Sequence, residues 1–215
     1  DDVVADYHWA LLLGIARRIP WGQTTMREGE WRPAWGHDVV GRTLGIVGCG
    51  RIGTAVARRA RGFEMRLLGF DPEPKEAALE AGVEFVSLEE LLEQSDFVSV
   101  NCAATEENRG LIGEAELRRM KKTAYLINTA RGSLLDEAAM VRALNEEWIA
   151  GAALDCFAKE PLAADHPLRS APNVLLCPHM APFAWGNAAE MNRGSAQNVL
   201  DVLAGKHTNL VVNPE

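Results

Sequence analysis

From residue 42 to residue 177 of this 215-residue chain, short apolar runs alternate with longer stretches of helical pattern. The runs at 43–47, 66–70, 83–86, 97–101, 124–128, 151–154 and 174–177 are short and continuous, and several are bounded by Gly, Asp or Asn, which predicts strands. Helical patterns fill 52–62, 73–81, 88–94 and 137–147 between them. Strand–helix alternation of this kind predicts right-handed βαβ units, hence an α/β fold with a doubly wound parallel sheet and helices on both faces.

The flanks read differently. Residues 3–19 are apolar nearly all round, which predicts a buried helix ended by Pro20. Residues 21–38 contain Trp21, Trp31 and Trp35 with little periodicity and are expected to connect. Residues 185–203 form one long helical pattern before a polar tail. The expected division is therefore an N-terminal helix and connector (1–38), a central domain (39–183), and a C-terminal helix and tail (184–215).

Composition narrows the class. An apolar fraction of 47% with 24% charged residues is that of an ordinary soluble protein. No apolar run approaches a bilayer span, so no membrane is expected. The N-terminus has no basic region or cleavage site, which predicts no signal peptide and a cytoplasmic protein. It also has no initiator Met, and the apolar helix starts at once, which predicts a chain that begins inside something larger. A net charge of −8 argues against nucleic acid as a partner. The basic clusters at Arg58–Arg61 and Arg118–Lys122 sit at predicted helix ends, where cations suit the dipole. Cys49, Cys102, Cys156 and Cys177 form no C-x-x-C pair and are expected to be reduced, with no metal role.

Strand 43–47 runs directly into Gly48-Cys49-Gly50-Arg51-Ile52-Gly53 and then into a helix. In that context the glycines serve a tight turn (Gly48), close approach of a pyrophosphate (Gly50) and helix–strand packing (Gly53). The helix N-terminus offers unpaired N–H groups to phosphate. Asp71 ends the second strand about 20 positions on, where a carboxylate accepts from ribose hydroxyls and repels a 2′-phosphate. The domain therefore reads as Rossmann-type and the cofactor as NAD. Arg51 could serve the phosphates of either NAD or NADP.

Three further polar residues follow predicted strands: Arg131 in Asn-Thr-Ala-Arg-Gly, Glu160 in Leu-Asp-Cys-Phe-Ala-Lys-Glu-Pro, and His179 in Cys-Pro-His. Singly, each has an ordinary reading as a surface ion pair, a solvated loop residue or a structural histidine. Together they converge on the carboxyl ends of the strands, where open α/β sheets bind ligands.

On these blocks, on Gly41–Gly48, on Arg27–Trp31 and on the closing Val-Val-Asn-Pro-Glu, the chain resembles the D-isomer-specific 2-hydroxyacid dehydrogenases. The resemblance implies hydride transfer between NAD(H) and a 2-keto/2-hydroxy acid such as glyoxylate, hydroxypyruvate or a phosphoglycerate-like acid. It implies that Arg131 binds the substrate carboxylate, that His179 is the general acid–base, and that Glu160 accepts from its other ring nitrogen and favours imidazolium. It places Asp155 near the nicotinamide ribose. The cofactor contacts it implies are Gly48, Gly50, Arg51, Ile52, Gly53, Asp71, Cys102, Ala103, Thr105, Thr129, Ala130, Arg131, Asp155, His179 and Ala181. It further implies a homodimer built on the 3–19 helix, and a C-terminal helix that packs on an N-terminal lobe largely absent from this chain, whose absence would leave the isolated chain inactive.

The chain departs from the family at two more places. Ala103 stands where Pro is usual, and Met-Ala-Pro-Phe-Ala-Trp follows His179 where small residues are common. The aromatic stretch is similar to NAD-binding transcriptional corepressors and to phosphonate-oxidising relatives. Those are the alternatives: a scaffold whose output is dimerisation, or a different substrate.

Overall fold

In the computed structural model, which describes residues 1–206, seven strands form one parallel sheet. They are β1 (Thr43–Val47), β2 (Arg66–Phe70), β3 (Val83–Phe85), β4 (Phe97–Val100), β5 (Tyr125–Asn128), β6 (Gly151–Leu154) and β7 (Val174–Leu176). Their spatial order is β3-β2-β1-β4-β5-β6-β7, every pair parallel. This is the doubly wound Rossmann arrangement, and the order reverses between β1 and β4.

The helices are α1 (Asp2–Ala16), α2 (Ile19–Arg27), α3 (Arg51–Ala60), α4 (Glu76–Glu80), α5 (Leu88–Gln94), α6 (Glu114–Arg119), α7 (Glu137–Asn145) and α8 (Trp185–Leu203). Alternate strand residues feed two cores. Tyr125, Ile127 and Ala153 join the side covered by α1 and α3, while Leu126, Ala152 and Leu154 join the side covered by α5, α6 and α7. Period-two side chains with both faces covered explain why the strands read as continuous apolar runs. Truncating a buried anchor such as Ile127 to Ala costs about 2–5 kcal/mol.

Three expectations shift. The first helix stops at Ala16, and Pro20 lies in the first turn of α2 instead of ending α1. Proline is at home there, because the first N–H groups of a helix have no intrahelical partner to lose. Part of the expected connector is thus helical. The helix expected over 73–81 begins only at Glu76, since Asp71 captures the Glu73 N–H and Pro74 holds its predecessor out of helical geometry. The six-residue α6 (Glu114–Arg119) ends where the Arg118–Lys122 cluster predicted a helix end, although it is too short for its start to show in a period. Its start is fixed by Glu116, whose side chain accepts the Gly113 N–H at 3.0 Å.

The apolar character of α1 is largely used within the chain. Ala5, Trp9, Leu11, Leu12 and Ala16 are buried against α3 and the β5–β7 side of the sheet. A second copy is not needed to account for it. In contrast α8 buries no residue, and Trp185 and Leu203 are exposed. The closing motif at 211–215 lies outside the described residues.

Candidate active site

The carboxyl ends of β1, β2, β4, β5 and the loop after β7 border a crevice of about 990 Å³. Gly48, Gly50, Arg51 and Ile52 line one end with Asp71, and Arg131, His179 and Ala181 line the other. Cys102, Ala103, Thr129 and Ala130 lie between them. Gly48 has φ +91, and a Cβ on it would run into the Cys102 amide, so β1 and β4 can approach here only with glycine. Gly53 sits beneath the crevice, where a side chain would strike the Gly48 carbonyl. Gly50 faces open space.

Asp71 acts on the loop as well as on the crevice. Its carboxylate accepts the Cys49 N–H at 2.8 Å and the Glu73 N–H at 2.9 Å, which ties the ends of β1 and β2 together. Arg51 is exposed and points its charge toward Asp1 at 3.6 Å.

The three residues singled out by motif, Arg131, Glu160 and His179, are presented by three loops. After β5, the buried Asn128 side chain accepts the Ala130 N–H at 3.0 Å and donates to the Arg131 carbonyl at 2.9 Å, shaping the turn that presents Arg131. Gly132 then presses against Phe157 in the loop after β6, leaving no room for a Cβ. That loop is anchored by Glu137, which accepts the Ala158 N–H at 2.7 Å. Glu160 accepts the Phe157 N–H at 2.9 Å with one oxygen and faces His179 Nδ1 at 2.8 Å with the other. Nδ1 is therefore engaged, and Nε2 has no partner among the described residues.

His179 has φ +55, a left-handed conformation costly for a residue with a Cβ. Asp155 supports it. Fully buried, Asp155 accepts the His179 N–H on its carbonyl at 2.8 Å, and its two carboxylate oxygens take the N–H groups of Met180 and Ala181 at 2.8 and 2.9 Å. It does not line the crevice, because its carboxylate points into the loop.

Charges are set by these contacts. Burial pushes the Glu160 carboxyl up, but the hydrogen bonds from His179 and Phe157 and the nearby Arg131 charge outweigh it and hold Glu160 below the usual carboxylate range. Burial, with the negative charges of Asp155 and Glu160, pushes the Cys156 thiol up to about 12. Burial also drives His8 down to about 3, so this histidine is neutral.

Of the residues expected to contact cofactor, Thr105 does not line the crevice. Its hydroxyl accepts the Asn108 N–H at 3.3 Å, and Asn108 lines the crevice instead. Sequence reasoning also missed Asn101, Asn128, Glu137 and the polar floor made by α1. There His8 Nδ1 lies 3.3 Å from Thr129 Oγ1, and Tyr7 reaches Asp155 and Cys177. Asn128 opens the Asn-Thr-Ala-Arg-Gly block and Glu137 opens the helical pattern over 137–147, which was the available signal. Tyr7 and His8 gave none, being polar positions on an apolar helix.

The crevice fits a dinucleotide. It passes the N-terminus of α3, it is open where Gly50 lacks a side chain, and Asn101 Oδ1 is buried at the β1/β4 reversal with no partner among the described residues.

Residues 9–181 match the D-isomer specific 2-hydroxyacid dehydrogenase NAD binding domain. A glyoxylate reductase of Korarchaeum cryptofilum is 48% identical over 221 residues, covering 100% of this chain and 67% of that protein. The TT0316 protein from Thermus thermophilus superposes with a TM-score of 0.90 at 40% identity, covering 98% of this chain and 68% of that one. The apo-structure of D-lactate dehydrogenase from Escherichia coli gives a TM-score of 0.90 at 33% identity, with 98% and 68% covered.

The chain thus has the cofactor-binding domain of an NAD-dependent oxidoreductase. It belongs to the D-isomer specific 2-hydroxyacid dehydrogenase family, with NAD as its cofactor, and spans about two thirds of the length of the curated relatives it matches. These matches favour the enzyme over the scaffold or phosphonate-oxidising readings. Among the described residues no helix is long and apolar enough to cross a membrane.

Proposed function

We propose that the chain carries the proton-transfer and carboxylate-binding half of a glyoxylate-type 2-keto acid reductase. The observation that carries this reading is the 2.8 Å contact between Glu160 Oε2 and His179 Nδ1 at the rim of the dinucleotide crevice. Glyoxylate leads among the 2-keto acids because the Korarchaeum cryptofilum relative is named a glyoxylate reductase.

When bound, NADH supplies the hydride. Glu160 holds the ring so that Nε2 presents its proton, and His179 delivers it to the 2-keto oxygen as the carbonyl carbon is reduced. Glu160 keeps its hydrogen bond to the ring during transfer, and the ring takes a proton back from solvent afterwards, since both side chains are partly exposed. Arg131 pairs with the substrate carboxylate and orients the carbonyl. Asp71 accepts from the adenosine ribose and disfavours a 2′-phosphate. Thr129, Ala130 and Ala181 line the path of the cofactor. In the reverse direction His179 is the base.

A third of the Korarchaeum cryptofilum protein lies outside the match, and a further lobe of that kind would close the substrate side, with α8 packing on it. The proposal includes a homodimer, for which exposed Ile19, Met26, Trp31 and Trp35 offer apolar surface.

The test is NADH oxidation by the full-length protein with glyoxylate, hydroxypyruvate, pyruvate and phosphohydroxypyruvate. Glyoxylate is expected to give the highest kcat/KM. His179→Ala should lower kcat by about 10²–10⁴-fold, and Arg131→Ala should lower kcat/KM by about 10–100-fold. Full activity in either variant overturns the corresponding role, and no turnover of any 2-keto acid by a protein that binds NADH overturns the reading.

A further inference from the structure

Cys156 lies directly below the proton-transfer pair. Its Sγ donates only a weak hydrogen bond, 3.4 Å to the Ala130 carbonyl. One ligand atom each from Cys156, Glu160 and His179 falls within 4.8 Å of the others. The three come from two strand-end loops and are different donor types: thiol, carboxylate and imidazole.

We propose that Cys156, Glu160 and His179 form a site for a thiophilic divalent cation of the zinc and cadmium class, and that filling it arrests the enzyme. The geometry suits it. Zinc bonds of about 2.0–2.3 Å in a tetrahedron set donor atoms about 3.3–3.8 Å apart, which rotations of the half-exposed Glu160 and His179 reach. Three protein ligands leave a fourth position for water. A cavity of about 590 Å³ bordered by Glu160, Leu162, Arg169, Cys177 and His179 opens two of the three donors to solvent, while Cys156 is buried behind them.

The electrostatics also favour a cation. Asp155 and Glu160 place negative charge beside the sulfur, and a metal replaces the thiol proton there. Arg131 opposes it, but that guanidinium is exposed and screened by water. Nothing in proton transfer uses Cys156, so the thiol is free to serve the metal.

Occupation takes a nitrogen from His179 and an oxygen from Glu160 and so breaks their 2.8 Å bond. Inhibition is therefore expected to leave NADH binding intact while stopping turnover. The inhibitory half of this proposal rests on the reading of His179 as the proton donor, and the binding half does not.

The experiment titrates the full-length protein with cadmium alone and follows the ultraviolet sulfur-to-cadmium charge-transfer band, with zinc as competitor. Wild-type protein should show one saturable equivalent. Cys156→Ser, with Cys156→Ala as a second variant and NADH binding as the check of folding, should weaken cadmium affinity at least 10-fold, and His179→Gln should weaken it too. Undiminished affinity in the cysteine variants places the metal on another thiol and overturns the site. Loss in the cysteine variants with none in His179→Gln reduces it to a lone thiol and overturns the chelate. Where turnover is measurable, zinc should inhibit wild type and Cys156→Ser should resist at least 10-fold. Cadmium binding with a 2-keto acid activity that zinc leaves untouched would refute the arrest, and cadmium binding in a protein that reduces no 2-keto acid would fail the reductase reading and not the site.

Discussion

Asp155 holds His179 from behind, taking its N–H on a main-chain carbonyl at 2.8 Å while its carboxylate secures the next two N–H groups. The left-handed turn at His179 is stable because three donors converge on one buried residue. Asp155→Asn keeps the shape but exchanges one acceptor oxygen for an NH₂ group that faces an N–H. The expected result is a loss of about 1–3 kcal/mol in stability and a fall in kcat larger than any change in NADH affinity. Denaturant unfolding, steady-state kinetics and NADH titration on the same variant check it, and an unchanged kcat would show that the turn holds without the carboxylate.

His8 makes the fold sensitive to acid. Its folded value near 3 lies below the ordinary histidine value of about 6.5. Below about pH 6.5 the unfolded chain binds a proton that the folded chain refuses, so stability falls as pH drops from there toward 3. The slope from this residue is at most about 1.4 kcal/mol per pH unit. His8→Leu should flatten that part of the profile in urea unfolding measured from pH 7 to pH 4, and a profile of unchanged slope would assign the acid sensitivity elsewhere.

Asp71 ties the glycine loop and, on the proposed reading, also selects the cofactor, and its removal should show both. Asp71→Ala frees the Cys49 and Glu73 N–H groups and takes away the charge that disfavours a 2′-phosphate. NADH affinity is expected to fall about 10-fold, the worth of one charge-assisted hydrogen bond, and the preference for NADH over NADPH to narrow. Fluorescence titration with both cofactors decides it. An unchanged ratio of affinities would confine Asp71 to holding the loop.

How far the sequence could be read depended on the range of each interaction. Strands β1, β2 and β6 were legible to the residue, because a sheet covered on both faces demands unbroken apolar runs. The glycine loop and the strand-end positions of Arg131, Glu160 and His179 were legible because each sits in a local motif. That Thr105 lies outside the crevice lining, its hydroxyl claimed by a local turn, is something motif position cannot show. The anchoring of the His179 loop by Asp155 was not legible for a related reason: its partners lie 25 and 26 residues away.

By itself, then, the amino-acid sequence determined the doubly wound fold, the NAD loop and the chemical types of the residues proposed to act, all written in short-range periodicity and spacing. The tertiary structure alone decided that Asp155 turns away from the crevice, that His8 and Tyr7 lie beneath the strand-end loops, and that Cys156 meets Glu160 and His179. Those are relations between strand ends brought side by side by the parallel sheet, and no local pattern encodes which side chains meet there.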